Sequence, residues 1–283
     1  MREIKTIGVV GAGQMGTGIA QVAAVSGYRV LLFDTLPGAA AKASERIQAN
    51  LSKLLAKGKL EQAVFDTAVQ AVAVADTLKA AARADLVVEA AVEQVELKKE
   101  IFASLDQAAA PDVILASNTS SISLTEIASA TGRPDKVIGM HFFNPAPVMK
   151  LLEVVKGCST SQETIDTVMA IGRRMNKVTI LSLDKAGFIV NRVLDPMLNE
   201  AIFLLEEGVG TAEDIDNGLK FGCNHPMGPL ALADLIGLDV LLAVMEVLYR
   251  EYADSKYRPA PLLKKMVRAG KLGKKTGEGF FKY

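Results

Sequence analysis

The segment GVVGAGQMGTGIA, residues 8–20, constrains the fold more than any other stretch of this chain. A β-branched run leads directly into Gly11, Gly13 and Gly16, spaced G-x-G-x-x-G, and helix-period residues follow. A strand, a glycine turn and a helix in that order suit a nucleotide. Gly11 permits the tight turn, Gly13 the close approach of a pyrophosphate to backbone amides, and Gly16 the packing of helix on strand. Asp34 ends the second β-branched run, near the offset of about 20 residues expected for an acid that binds a ribose 2′-hydroxyl. Its carboxylate repels a 2′-phosphate, and the DTLPG stretch holds no Arg to neutralise one, so NAD is favoured over NADP.

The rest of the chain fits such a beginning. Short β-branched runs at 5–11, 29–34, 72–75, 85–90, 113–118, 136–142, 151–155 and 177–181 alternate with helix-period segments. This predicts a Rossmann-type α/β domain over 1–184, with a doubly wound, mostly parallel sheet covered by helices on both faces. Residues 38–70 are too many for one connecting helix and predict a helical hairpin broken at KGKL. The runs at 136–142 and 151–155 are too close for a crossover helix, so they predict an antiparallel or bent pair. Strand signals stop near 184. Helices predicted at 187–207, with Pro196 as a kink, 211–220, 228–250 and 260–268 make 185–283 an all-helical second domain, and its apolar surface suggests a homodimer.

Bulk properties narrow the partners. Lys plus Arg and Asp plus Glu are 32 each, which points away from nucleic acid and anionic membrane. The apolar stretch GPLALADLIGLDVLLAVMEVLY is interrupted by Asp234, Asp239 and Glu246, whereas a membrane span needs about 18–20 largely uncharged residues. Cys158 and Cys223 lack metal-ligand spacing, and MREIKTIGVVGAG does not read as a signal peptide, so a cytoplasmic protein without a metal is expected.

The chain has two histidines. His141 ends a β-branched run, and ligands of open α/β sheets collect beyond the carboxyl ends of strands. An alcohol-oxidising nicotinamide enzyme needs a base there. Glu153 follows in the apolar LLEVV, where a carboxylate needs a partner. If the two runs pair, Glu153 fixes the imidazole's tautomer; otherwise it points outward at an edge. The ASNTSSIS stretch brings Asn118, Thr119, Ser120 and Ser121 to another strand end. Such residues can hydrogen-bond a substrate oxygen, and they also suit a helix cap, with Glu126 three residues beyond Ser123.

Together, GVVGAGQMGTGIA, ADLVVEAAVEQVELKKEIF, ASNTSSISLTEIA, GMHFFNPAPVMKLLEVV, KAGFIVNRVL, HPMGPLALADLIGLD and GKLGKKTGEGFFKY resemble the 3-hydroxyacyl-CoA dehydrogenase family over almost the whole chain. The resemblance, to the short bacterial form, implies hydride transfer between a 3-hydroxyacyl-CoA thioester and NAD. It implies His141 as general acid/base, Glu153 as its orienting carboxylate, and Ser120 and Asn191 as hydrogen-bonding partners of the substrate oxygens, in a cleft between the domains. Gly11, Gly13, Gln14, Met15, Gly16, Asp34, Glu93, Lys98, Ser120 and Asn144 would contact NAD. The 38–70 hairpin would hold coenzyme A, with Lys53 and Lys57 near its phosphates, although both also suit a solvated helix face. Dimerisation would use the helical domain, no metal is required, and His225 is read as structural. Two rivals are a β-hydroxyacid dehydrogenase acting on a free acid, which would rely on a catalytic Lys, and a non-catalytic crystallin-like NAD-binding protein.

Overall fold

The computed structural model describes residues 3–283, so the first two residues of the N-terminal stretch lie outside it. The chain divides into two compact units, Met1–Asp184 and Lys185–Tyr283.

The first unit runs β1 (Thr6–Val10), α1 (Gln14–Val25), β2 (Arg29–Phe33), α2 (Ala39–Ala56), α3 (Gln62–Ala71), β3 (Val72–Val74), α4 (Leu78–Ala81), β4 (Leu86–Glu89), α5 (Val95–Ala108), β5 (Ile114–Ser117), α6 (Leu124–Ala128), β6 (Val137–Phe142), β7 (Leu151–Lys156), α7 (Gln162–Arg174) and β8 (Val178–Leu183). The sheet order is β3-β2-β1-β4-β5-β6-β7-β8, with every neighbouring pair parallel except β6 and β7. Strands covered on both faces are mostly apolar, and β4 and β5 are buried along their whole length, with Glu89 and Ser117 as the polar residues at their carboxyl ends. The turn back in strand order falls between β1 and β4, where ligands of such sheets bind beyond the strand ends.

The hairpin expected over 38–70 is α2 and α3. Ala43, Ile47, Leu51 and Ala68 seat it in the core of this unit, and Gly58, at φ +66°, turns the chain after α2. The eight-residue link between β6 and β7 is too short for a crossover, and the two strands pair antiparallel with His141 directly opposite Glu153. Lys177 pins the connection. Its ammonium, 8% exposed, donates to the Ala146 and Met149 carbonyls at 2.6 and 2.7 Å, and burial lowers its pKa.

The second unit is helical: α8 (Val190–Glu206), α9 (Ala212–Asn217), α10 (Pro229–Ile236), α11 (Leu238–Tyr252) and α12 (Pro261–Arg268), around a core that includes Leu198, Ile202, Leu230, Leu241 and Met245. Three boundaries differ from the sequence reading. Gly187 and Phe188 have φ of +75° and +46°, so α8 starts only at Val190. The 211–220 segment leaves α-geometry after Asn217 for a π-helical turn, Gly218–Gly222. The helix expected over 228–250 is two, because Gly237 takes φ +105° and no helix continues through that conformation. The Asp residues that broke the apolar stretch tie down the tail: Asp234 accepts from the Phe280 and Phe281 N–H groups and the Tyr283 hydroxyl, and Asp239 pairs with Lys275. Among the described residues no helix is long and apolar enough to cross a membrane.

Candidate active site

The glycine turn has the shape a dinucleotide needs. Gly11 has φ +102°, and a Cβ there would lie 2.5 Å from the Ala90 carbonyl oxygen. A Cβ on Gly16 would lie 1.8 Å from the Gly11 carbonyl oxygen, so that glycine is required by the packing of turn on helix. Gly13 differs. It is the N-cap of α1, and a Cβ there would meet nothing within 4 Å, which leaves open space over the first amides of a twelve-residue helix. That opening fits a diphosphate, which the helix N-terminus attracts. Gly16→Ala is therefore expected to weaken NADH binding by about tenfold or more, as read by fluorescence titration, and to lower the thermal midpoint.

Asp34 lies beside this turn. Its Oδ2 accepts the Ala12 N–H at 2.6 Å and its Oδ1 the Leu36 N–H at 2.8 Å. The sequence argument that no Arg stands nearby holds along the chain but not in space. Arg46, on α2, donates to the Ala12 carbonyl at 3.0 Å, so a guanidinium and the Asp34 carboxylate flank the same residue. Helical neighbours brought in by the hairpin carry no short-range signal. Gln14 donates to Asn144 Oδ1 at 3.0 Å, which joins the start of α1 to the turn after β6.

At the carboxyl end of β6, His141 Nδ1 lies 2.9 Å from Glu153 Oε2. His141 is 5% exposed and Glu153 is fully buried. A carboxylate on Nδ1 selects the tautomer protonated there and leaves Nε2 as the basic nitrogen. Phe143 packs against the imidazole, with ring centroids 4.4 Å apart, and limits its rotation.

The loop after β5 is held from two sides. Asn118 Oδ1 accepts the Phe142 N–H at 2.9 Å, tying the loop to the strand that carries His141. Glu93 Oε1 accepts from Thr119 Oγ1 at 2.6 Å, from the Ser120 N–H at 2.9 Å and from Ser120 Oγ at 3.3 Å. Burial pushes the Glu93 carboxyl up, but the Lys98 ammonium and the hydrogen bonds from Thr119, Ser120 and Lys98 outweigh it and hold the group below the usual carboxylate range. Lys98, 1% exposed, sits between Glu89 at 2.6 Å and Glu93 at 3.3 Å. Ser123 caps α6, as the sequence allowed, while Ser120 does not.

Of the remaining expected residues, Met15 is half-buried on α1, and Lys53 and Lys57 are exposed at the end of α2. Asn191 belongs to the second unit, half-buried in the first turn of α8. His225 is half-buried after the π-helical turn, where its N–H bonds to the Leu219 carbonyl. Sequence reasoning missed Glu89, Lys177 and Arg46. Glu89 did carry a signal, because it is an acid inside an apolar strand, the same feature that singled out Glu153. Among the described residues no cluster of metal-ligating side chains occurs.

Known proteins resemble this chain over almost its whole length. Residues 6–185 match the NAD binding domain of 3-hydroxyacyl-CoA dehydrogenase, and residues 187–283 match its C-terminal domain. A probable 3-hydroxybutyryl-CoA dehydrogenase of Bacillus subtilis is 52% identical over 99% of this chain and 98% of its own length. The mitochondrial hydroxyacyl-coenzyme A dehydrogenase of Homo sapiens is 43% identical over 99% of this chain and 91% of its own. The crystal structure of (S)-3-hydroxybutyryl-CoA dehydrogenase from Ralstonia eutropha superposes with a TM-score of 0.96 at 48% identity, covering 99% of each chain. A glycine turn shaped for a dinucleotide, a buried His–Glu pair at a strand end and full-length similarity of this extent lead to one assignment: the chain belongs to the 3-hydroxyacyl-CoA dehydrogenase family, whose members are NAD-dependent oxidoreductases.

Proposed function

We propose that this chain interconverts (S)-3-hydroxybutyryl-CoA and acetoacetyl-CoA with NAD, using His141 as general acid/base. The observation that carries the reading is the 2.9 Å contact between His141 Nδ1 and the buried Glu153, at a strand end of the sheet whose order switches between β1 and β4. Bound NAD supplies the hydride acceptor. His141 Nε2 takes the proton of the substrate's 3-hydroxyl and returns it in the reductive direction, while Glu153 holds the ring and stabilises the imidazolium. Ser120 and Asn191 hydrogen-bond the substrate oxygens, which steadies charge that develops on them.

The turn residues Gly11, Gly13, Gln14, Met15 and Gly16 cradle the cofactor's diphosphate, and Asp34 binds the adenosine ribose. Glu93, Lys98 and Asn144 contact the same cofactor, with Ser120 shared between cofactor and substrate. Lys53 and Lys57 on the hairpin take phosphates of coenzyme A, an assignment supported by their exposure at the end of α2. The helical domain forms a homodimer, supported by its exposed Val193, Val209, Phe221 and Leu235. Exposed free Cys158 and Cys223 suit a reducing cytoplasm.

Steady-state reduction of 3-oxoacyl-CoA thioesters from four to sixteen carbons, with NADH and with NADPH, tests the substrate and cofactor readings together. The four-carbon thioester with NADH is expected to have the highest kcat/KM. A preference for long chains would overturn the substrate assignment, and a preference for NADPH would mean that Arg46 outweighs Asp34.

A further inference from the structure

One buried charge in the first unit has no part in the reaction as described. Glu89 closes β4, fully buried, with β1 on one side and β5 on the other, at the point where the strand order turns back. A carboxylate out of water costs several kcal/mol unless it is paired and hydrogen-bonded. Both oxygens of Glu89 are engaged. Oε1 accepts from Lys98 Nζ and from the Ala91 N–H, each at 2.6 Å, and Oε2 accepts from Ser117 Oγ at 2.6 Å.

The arrangement is asymmetric, and the asymmetry has a consequence. Two carboxylates share one ammonium, and Lys98 is 0.7 Å closer to Glu89 than to Glu93, from separations of 2.6 and 3.3 Å. Lys98 keeps its closer contact for Glu89 and meets Glu93 only at Oε2, while Glu93 Oε1 serves the loop, where it accepts from Thr119, Ser120 and Ser121. Without the Glu89 charge, the buried ammonium would draw on Glu93 alone and pull it off the loop amides.

We propose that Glu89 is a positioning residue for Ser120, acting through Lys98 and Glu93. The catalytic side of this inference rests on the reading of Ser120 as a hydrogen-bonding partner of the substrate oxygen. Glu89 is fully buried, so its role is one of positioning rather than contact with solvent-borne ligands. Its effect is to fix the place of the Ser120 hydroxyl, and misplacement of such a group by about an ångström can cost up to a hundredfold in rate.

The test compares the full-length wild type, Glu89→Gln, Ser120→Ala and the double variant. Two quantities are read: kcat for acetoacetyl-CoA reduction by NADH, and amide hydrogen exchange over residues 118–122 of the ligand-free protein. Glu89→Gln is expected to speed exchange in that loop and to lower kcat about tenfold, with a smaller change in KM. The double variant should be no slower than Ser120→Ala within about twofold, because both changes remove the same interaction. Losses that multiply in the double variant, or unchanged loop exchange in Glu89→Gln, would overturn the proposal. Wild-type turnover in Ser120→Ala would instead remove the reading of Ser120, while the exchange data still judge the positioning. Should Glu89→Gln fail to fold, Glu89→Asp keeps the charge but is too short to reach Lys98 and Ser117 together. It should speed loop exchange measurably, and unchanged exchange would overturn the proposal equally.

Discussion

His141→Ala is expected to lower kcat for acetoacetyl-CoA reduction by about 10²–10⁴-fold, the range for loss of a positioned general acid/base, while NADH binding stays within about twofold of wild type. Two measurements check this: steady-state nicotinamide absorbance for turnover and fluorescence titration for NADH. The expectation follows from the site. His141 lies in a strand end with its ring held by Glu153 and Phe143, so its removal takes away a proton acceptor without altering the glycine turn at α1. Glu153→Gln should cost less, because the amide can still meet Nδ1 but cannot stabilise an imidazolium. A fall of about tenfold to a hundredfold is expected there, again with NADH affinity preserved. Normal turnover in either variant would remove the pair from the mechanism.

Asp195→Asn is expected to stabilise the protein, and to do so more as pH rises. Asp195 lies on α8, 4% exposed, and its Oδ2 is buried with no hydrogen-bond partner among the described residues. Desolvation by burial raises its pKa from 3.8 to about 7. Between those values the native state holds a proton that the unfolded chain has released, so stability falls as pH rises through this window. Below about pH 4 both states are protonated and the residue contributes no pH dependence; above about pH 7 the native state carries a buried charge. A shift of about three units corresponds to a penalty of up to about 4 kcal/mol once fully developed, and asparagine removes that charge at similar volume. Thermal unfolding of wild type and variant at about pH 5 and pH 8 checks the sign: the variant's advantage should be several degrees at the higher pH and should shrink at the lower. An equal advantage at both would locate the effect in packing rather than ionisation.

Much of this architecture was legible because short-range patterns report it. β-branched runs separated by helix-length segments marked all eight strands, and the eight-residue link between two of them ruled out a crossover helix, leaving an antiparallel or bent pair; the folded chain takes the antiparallel one, which sets His141 against Glu153. Helix ends were harder. Gly237 stands in an apolar, helix-period run, and only its left-handed backbone in the folded chain divides α10 from α11. Arg46 and Lys177 escaped notice for a related reason: each acts on a carbonyl far along the chain, on Ala12 and on Ala146 and Met149. No spacing rule connects such positions. Glu89 was different, since its apolar flanks were visible, but the sequence held no nearby partner that drew attention to it.

The most direct test of the central claim is the nicotinamide absorbance of NADH mixed with this protein and acetoacetyl-CoA, beside a matched sample containing free acetoacetate. Rapid oxidation of NADH with the thioester and little with the free acid is the expected result. Turnover of the free acid but not the thioester would contradict the account, and so would NADH that binds but is oxidised with neither.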